Sequence, residues 1–419
     1  MGTSESEDLL PGVLRGRTFW DLASKEKKKV CILNPFLAYP AWPVNGVMIS
    51  GPPFASGAPT CFPKALAKDY DLPEMGGFED FPAQIELNTI LEHCIRATKS
   101  LTRFASQLLE DMHWDLFFTC FLSLDRIEHF FWRFGDPDDP SFPGPSRFQN
   151  TIKEFYVLID EAVGNLCCRT DSDDAVMVVS DHGHRRRPAN LVNLNELLRQ
   201  SGMLFPRGGL RPKLLEKTRS LVVTSAQKLK TERLLFRIGK YFPKAAEIRK
   251  SELSLDFERS VATLSDFAGS SSFGGITFNE SAIRKAGLEG RFVESRVMEL
   301  LTSIADPVTK AKLVKEVYPR EKIYKGKFLG RFPDILFVLR DDYAVHWSIY
   351  DRLVVPDYAH RLVSGGHSQD AVFILSGQGS SSSKRNADLV DITPTILHIL
   401  GIGAELGTTG KSLLSDIPS

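Results

Sequence analysis

Short apolar runs that end at polar or glycine-rich turns recur along the chain, at residues 29–34, 44–50, 116–124, 175–180, 335–339 and 371–376. Most are continuous rather than alternating, the pattern of strands buried on both faces of a parallel sheet. Between them lie segments with apolar residues at helical spacing. Residues 85–112 carry Leu87, Ile90, Leu91, Cys94, Ile95, Leu101, Phe104 and Leu108 in this way. Residues 148–166, 191–200, 283–304 and 391–400 read as further helices. The alternation predicts an α/β fold: a mostly parallel central sheet flanked by helices.

A length of 419 residues allows two average domains or one large domain with insertions. The pattern favours one core in two parts, residues 1–203 and 331–419, around an insert or cap at 204–330. A hydrophobic content of 42% and a charged content of 25% exclude wholesale disorder. Basic and acidic residues balance at 52 each, so bulk charge gives no argument for nucleic-acid binding. Residues 211–250 depart from that balance, with twelve basic residues against three acidic ones. Their interleaved leucines allow amphipathic helices, hence a basic helical insert or cap. Such a segment draws an anionic substrate or touches an anionic membrane surface. The preferred reading is plainer, a solvated helical face over the core. The serine run 380–383 reads as a flexible surface loop.

The six cysteines show no C-x-x-C spacing, and several sit in apolar runs. Free thiols in a reduced, cytoplasmic protein are expected. The neighbours Cys167 and Cys168 leave a redox pair as the alternative. No apolar run reaches the ~18 residues of a membrane span, and the polar, acidic start does not read as a signal peptide.

Three segments carry candidate chemistry. A strand over residues 116–124 runs straight into Asp125, and in open α/β sheets ligands bind beyond the carboxyl ends of strands. His129 follows four residues later, on the same face if the chain turns helical. Taken alone, that spacing also fits a capping Asp beside a packed His. A second strand delivers Asp181 and His182 in the sequence S-D-H-G, where Gly183 permits a sharp turn. His184 beyond it could support the ligands from behind, but reads first as a surface histidine. In the third segment His367 follows Gly365 and Gly366, two glycines that let backbone approach a ligand closely. Two carboxylates and three imidazoles at strand–loop junctions suit zinc, manganese or iron rather than calcium.

These three blocks, in this order, resemble the alkaline phosphatase superfamily, and within it the type I phosphodiesterase/nucleotide pyrophosphatase branch. The tail at 387–397 and the G-K-S-L-L at 410–414 are similar to that family's closing helix and late motif. The segment from Thr18 to Gly51 is similar to an early segment of these proteins. The resemblance implies an alkaline phosphatase-like fold, two divalent ions, zinc before manganese or iron, and a small phosphate-ester substrate. It implies that Asp125, His129 and His367 hold one ion, and that Asp181 and His182 help to hold the second. It implies no nucleic-acid partner and no transmembrane segment.

One part of the family pattern is missing. An opening strand with a further metal-binding Asp, and a helix that begins with a Thr or Ser nucleophile, belong before the segment that starts here near Arg15. One βαβ unit alone needs ~30 residues, and Thr3, Ser4 and Ser6 lie in a polar tail without a strand before them. No nucleophile is assigned. The expectation is therefore a phosphodiesterase-like hydrolase lacking its opening unit, with an exposed sheet edge in consequence. The alternatives are a non-catalytic metal-binding remnant and a metal-dependent phosphomutase or sulfatase relative.

Overall fold

The computed structural model describes residues 14–52, 57–75, 86–207, 255–265, 271–357, 359–377, 386–403 and 409–414, with isolated positions between 208 and 254. Most of the basic segment 211–250, the serine run 380–383 and the hydroxyls Thr3, Ser4 and Ser6 lie outside the described residues.

The described elements, in chain order, begin with α1 (Phe19–Lys25), β1 (Val30–Leu33), β2 (Gly46–Ser50), β3 (Thr60–Phe62), α2 (Leu66–Asp69) and α3 (Leu87–Asp111). Next come β4 (Leu116–Thr119), α4 (Ser123–Gly135), α5 (Thr151–Cys167), β5 (Val176–Val179), β6 (Gly183–Arg186), β7 (Asn190–Asn193) and α6 (Leu194–Gln200). Then follow β8 (Ala262–Leu264), β9 (Phe273–Phe278), α7 (Glu280–Lys285), α8 (Gly290–Ser303), β10 (Val314–Pro319), α9 (Arg320–Ile323), β11 (Ile335–Leu339), β12 (Tyr343–His346) and β13 (Val354–Pro356). The chain closes with β14 (Gly365–Ser368), β15 (Phe373–Ser376) and α10 (Ile392–Ile399). They fall into two compact units: residues 6–186 with 363–419, and residues 187–362.

The first unit holds the parallel sheet. Its strand order is β3-β2-β1-β4, with β1 parallel to both β2 and β4 and β3 antiparallel at one edge. β1 is a continuous apolar run because both of its faces are covered. Val30 and Ile32 face a cluster with Trp20, Trp42, Met48 and Leu397. Cys31 and Leu33 face Leu101, Phe104 and Leu108 of α3. Helix α1 is anchored by a capping box between Thr18 and Asp21, and Asp21 also accepts a hydrogen bond from Trp42 Nε1 at 2.8 Å. α3, α4 and α5 share a third cluster, around Ile90, Ile127, Phe131 and Phe155.

Two predicted strands of this unit behave differently from expectation. Residues 175–180 and 371–376 were expected as buried parallel strands. Instead β5 and β15 pair antiparallel with each other and join no other strand among the described residues. With only one partner each they stay half-exposed; Val179 and Ile374 are solvent-facing.

The second unit has its own core, around Leu194, Leu198, Val293, Val297 and Phe337. Its four-stranded sheet, β10-β11-β9-β8, is antiparallel throughout. β11, expected as a two-faced parallel strand, buries alternate residues, Ile335, Phe337 and Leu339. A three-stranded sheet orders β12-β7-β13. The helix expected over 191–200 starts only at Leu194, because Asn190–Asn193 forms β7 between two partners. The long helix expected over 283–304 is two helices, broken where Gly287 takes a φ of +67°.

Candidate metal centre

The first unit brings one candidate group from each of two chain segments far apart in sequence to the same place, and adds a third. Chain reversal after β4 starts α4 at Ser123, which puts Asp125 in the first turn, where a carboxylate suits the helix dipole. His129 lies one turn further along the same face, its Nε2 3.4 Å from Asp125 Oδ1. β14 runs antiparallel to β6 in a register that sets His367 directly opposite His184. Cross-strand partners point to the same side, and both rings reach Asp125. His184 Nε2 and His367 Nε2 each lie 3.3 Å from its Oδ1.

Glycines make this approach possible. A Cβ on Gly365 would run into the Glu128 carbonyl of α4. Without it β14 lies against the helix, and the Gly365 carbonyl accepts a hydrogen bond from His129 Nδ1 at 2.8 Å. The close approach foreseen for this glycine is thus to the α4 backbone. Gly183 plays the matching part in the other strand, where a Cβ would strike the Asp370 carbonyl. The S-D-H-G turn is pinned beside it, since Ser180 Oγ accepts from Val372 N at 2.8 Å.

Asp125, His129, His184 and His367 each offer one ligand atom, and the four atoms lie within 4.8 Å of one another. The ring orientations matter as much as the distances. A carbonyl can only accept, so His129 Nδ1 carries the proton, and the Nε2 lone pair of the neutral ring faces inward. That Nε2 stands 3.0 Å from His367 Nε2. Asp125 Oδ1 and His184 Nε2 are both shielded from solvent and lack a hydrogen-bond partner among the described residues. Electron-rich atoms turned toward one point suit a cation.

The electrostatics follow. Burial alone would raise the Asp125 carboxyl, but His129, His184 and His367 outweigh it and hold the group well below the usual carboxylate range. Burial alone would lower His184. The neighbouring carboxylates of Asp125 and Glu128 prevail and push it up to about 9.

Each candidate residue can now be placed. Asp125, His129 and His367 converge. His182 sits at the rim of the same cluster, its ring stacked on His367 at a centroid distance of 3.7 Å and its Nε2 4.0 Å from Asp125 Oδ1. Asp181 is 70% exposed, and its Oδ1 lies 3.6 Å from His182 Nε2. His184, expected at the surface, is a correction: its side chain is only 3% exposed. The signal was present in the spacing. His182 and His184 are two residues apart, and in extended chain such residues share a face. Reading it required knowing that residues 183–186 form a strand. No described helix is long and apolar enough to cross a membrane.

Comparison with known proteins adds the following. No curated protein sequence matches the chain. Phosphonoacetate hydrolase from Sinorhizobium meliloti 1021, solved with phosphonoacetate, is 13% identical with a TM-score of 0.39, covering 73% of this chain and 56% of its own. Human ectonucleotide pyrophosphatase/phosphodiesterase 5 is 15% identical with a TM-score of 0.33, covering 78% and 62% respectively. The chain therefore spans between half and two thirds of the length of these solved structures. Residues 1–363 match the family described as type I phosphodiesterase/nucleotide pyrophosphatase. By that match, over most of its length, the chain belongs to the type I phosphodiesterase/nucleotide pyrophosphatase family.

Proposed function

We propose that this chain carries the metal-binding part of a phosphodiesterase-type hydrolase of small phosphate esters. The supporting observation is the convergence of Asp125, His129 and His367 on one point, from α4 and β14. Asp125 supplies negative charge and stays ionised among the imidazoles. His129 is held in one tautomer by the Gly365 carbonyl, which fixes its Nε2 toward the centre. His367 is steadied by its stacking on His182. A divalent ion there, with zinc the first choice for such ligands, supplies Lewis-acid stabilisation of phosphoryl oxygens and an acidified water. Asp181 and His182, at the exposed rim, form part of a second and weaker site. The free cysteines, with Cys31 and Cys94 buried, support a reducing compartment such as the cytoplasm.

The test is hydrolysis of bis-p-nitrophenyl phosphate by the full chain after loading with zinc or manganese. Metal-dependent turnover that Asp125→Asn abolishes supports the proposal. An ion bound tightly with no turnover of phosphodiester or nucleotide pyrophosphate supports instead a non-catalytic metal-binding protein. Preference for a sulfate ester, or transfer of phosphate within a sugar phosphate, would point to the sulfatase or phosphomutase alternatives.

A further inference from the structure

We infer that His184 is a fourth protein ligand of the ion at Asp125, and that Glu128 and Tyr156 are positioning residues that orient it. The inference rests on the reading that an ion binds at Asp125.

The first observation is geometric. For a zinc ion with ligands at about 2.0–2.1 Å, a tetrahedron has edges of about 3.3 Å. The edges from Asp125 Oδ1 to His129, His184 and His367 are 3.4, 3.3 and 3.3 Å, and His129 to His367 is 3.0 Å. His184 Nε2 is thus as close to Asp125 Oδ1 as the ligands chosen from the sequence, and all four atoms lie within 4.8 Å of one another.

The second observation is a chain of contacts behind the ring. His184 Nδ1 lies 2.9 Å from Glu128 Oε2, and Tyr156 Oη donates to Glu128 Oε1 at 2.9 Å. Glu128 is 5% exposed, so this carboxylate is withdrawn from water and committed to its two partners. When an ion displaces the Nε2 proton, the Glu128 carboxylate holds Nδ1–H of the neutral His184 ring and turns the Nε2 lone pair toward the ion, the carboxylate–histidine–metal arrangement. Nε2 faces the ionised oxygen of Asp125 with no other partner among the described residues. A divalent cation between them satisfies both atoms.

Four protein ligands fill the tetrahedral complement of zinc, so a water or phosphoryl oxygen at this ion would make it five-coordinate. Tight binding at this centre is therefore independent of whether the chain turns over substrate.

The experiment is titration of the metal-free full chain with Co2+, followed by visible absorption, with zinc competition for affinity. The wild-type protein is expected to give the intense bands of four-coordinate Co2+. His184→Gly should lose those bands and weaken binding by more than about 100-fold, and added imidazole should restore both. Glu128→Gln and Tyr156→Phe should weaken binding by up to about 10–100-fold and about 10-fold respectively. Intense bands and unchanged affinity in His184→Gly would overturn the inference while leaving the metal reading intact. Absence of stoichiometric Co2+ or Zn2+ binding by the wild type would overturn both. If His184→Gly does not fold, Glu128→Gln decides: unchanged affinity and spectrum would overturn the assignment.

Discussion

At the scale of single residues, Asp125 is the centre of the site, because one oxygen faces three imidazole nitrogens at 3.3–3.4 Å. Asp125→Asn keeps the volume and removes the charge. It is expected to weaken zinc binding by more than ~100-fold, since even an outer partner of a ligand is worth about 10–100-fold; competition against a chromophoric chelator measures it. The thiols offer a second test. Burial pushes Cys94 up to about 11, and pushes Cys120 up to about 12 with help from nearby Asp181. A raised pKa leaves little thiolate, so at pH 8 only about a thousandth of Cys94 is reactive. Exposed Cys168 is expected to react with iodoacetamide first, and Cys94 and Cys120 only as the protein unfolds. Peptide mapping after brief labelling would show the order. Three of the four converging residues were legible as residue types near strand ends. His184 was legible only through its spacing from His182, which tells inward from outward once residues 183–186 are known to form a strand.

At the scale of elements, the centre depends on how closely β14 lies on α4. Gly365→Ala would place a methyl group against the Glu128 carbonyl and push the strand outward. The expected result is loss of the His129–Gly365 hydrogen bond and a zinc affinity at least about 10-fold weaker. α4 in turn is seated by Phe131, wholly buried among α3, α4 and α5. Phe131→Ala is expected to cost about 3–5 kcal/mol, read from urea unfolding of the full chain. Helical spacing located α3, α5 and α10 to within a few residues, because one face of each meets a core. Continuous apolar runs were a poorer guide to strands. β1 earned the parallel reading by having both faces covered, whereas β5, β11 and β15 are equally apolar and pair antiparallel. A run of apolar residues reports burial preference and says nothing of the direction of its neighbour.

At the scale of the whole molecule, Asp125, His129 and His184 come from residues 6–186 and His367 from residues 363–419, so an ion bound among them would tie together the two chain segments of the first unit. Anything that binds only the folded state stabilises it by mass action, about 2.7 kcal/mol at one hundred times Kd. Removing the ion with a chelator is therefore expected to lower the thermal midpoint of this unit by about 5–10 °C, with recovery on adding zinc. Differential scanning calorimetry of the full chain checks both directions. The family was legible from the order of three short motifs together with the early segment and the closing tail. The antiparallel second unit was not legible, because its strands share no such chemical markers.

Metal content decides whether one ion is held at Asp125. The full chain, loaded with zinc and then dialysed exhaustively, is analysed by plasma mass spectrometry beside Asp125→Asn. About one zinc per chain is expected for the wild type and almost none for the variant. Equal metal content in the two proteins, or none in either, would contradict that expectation.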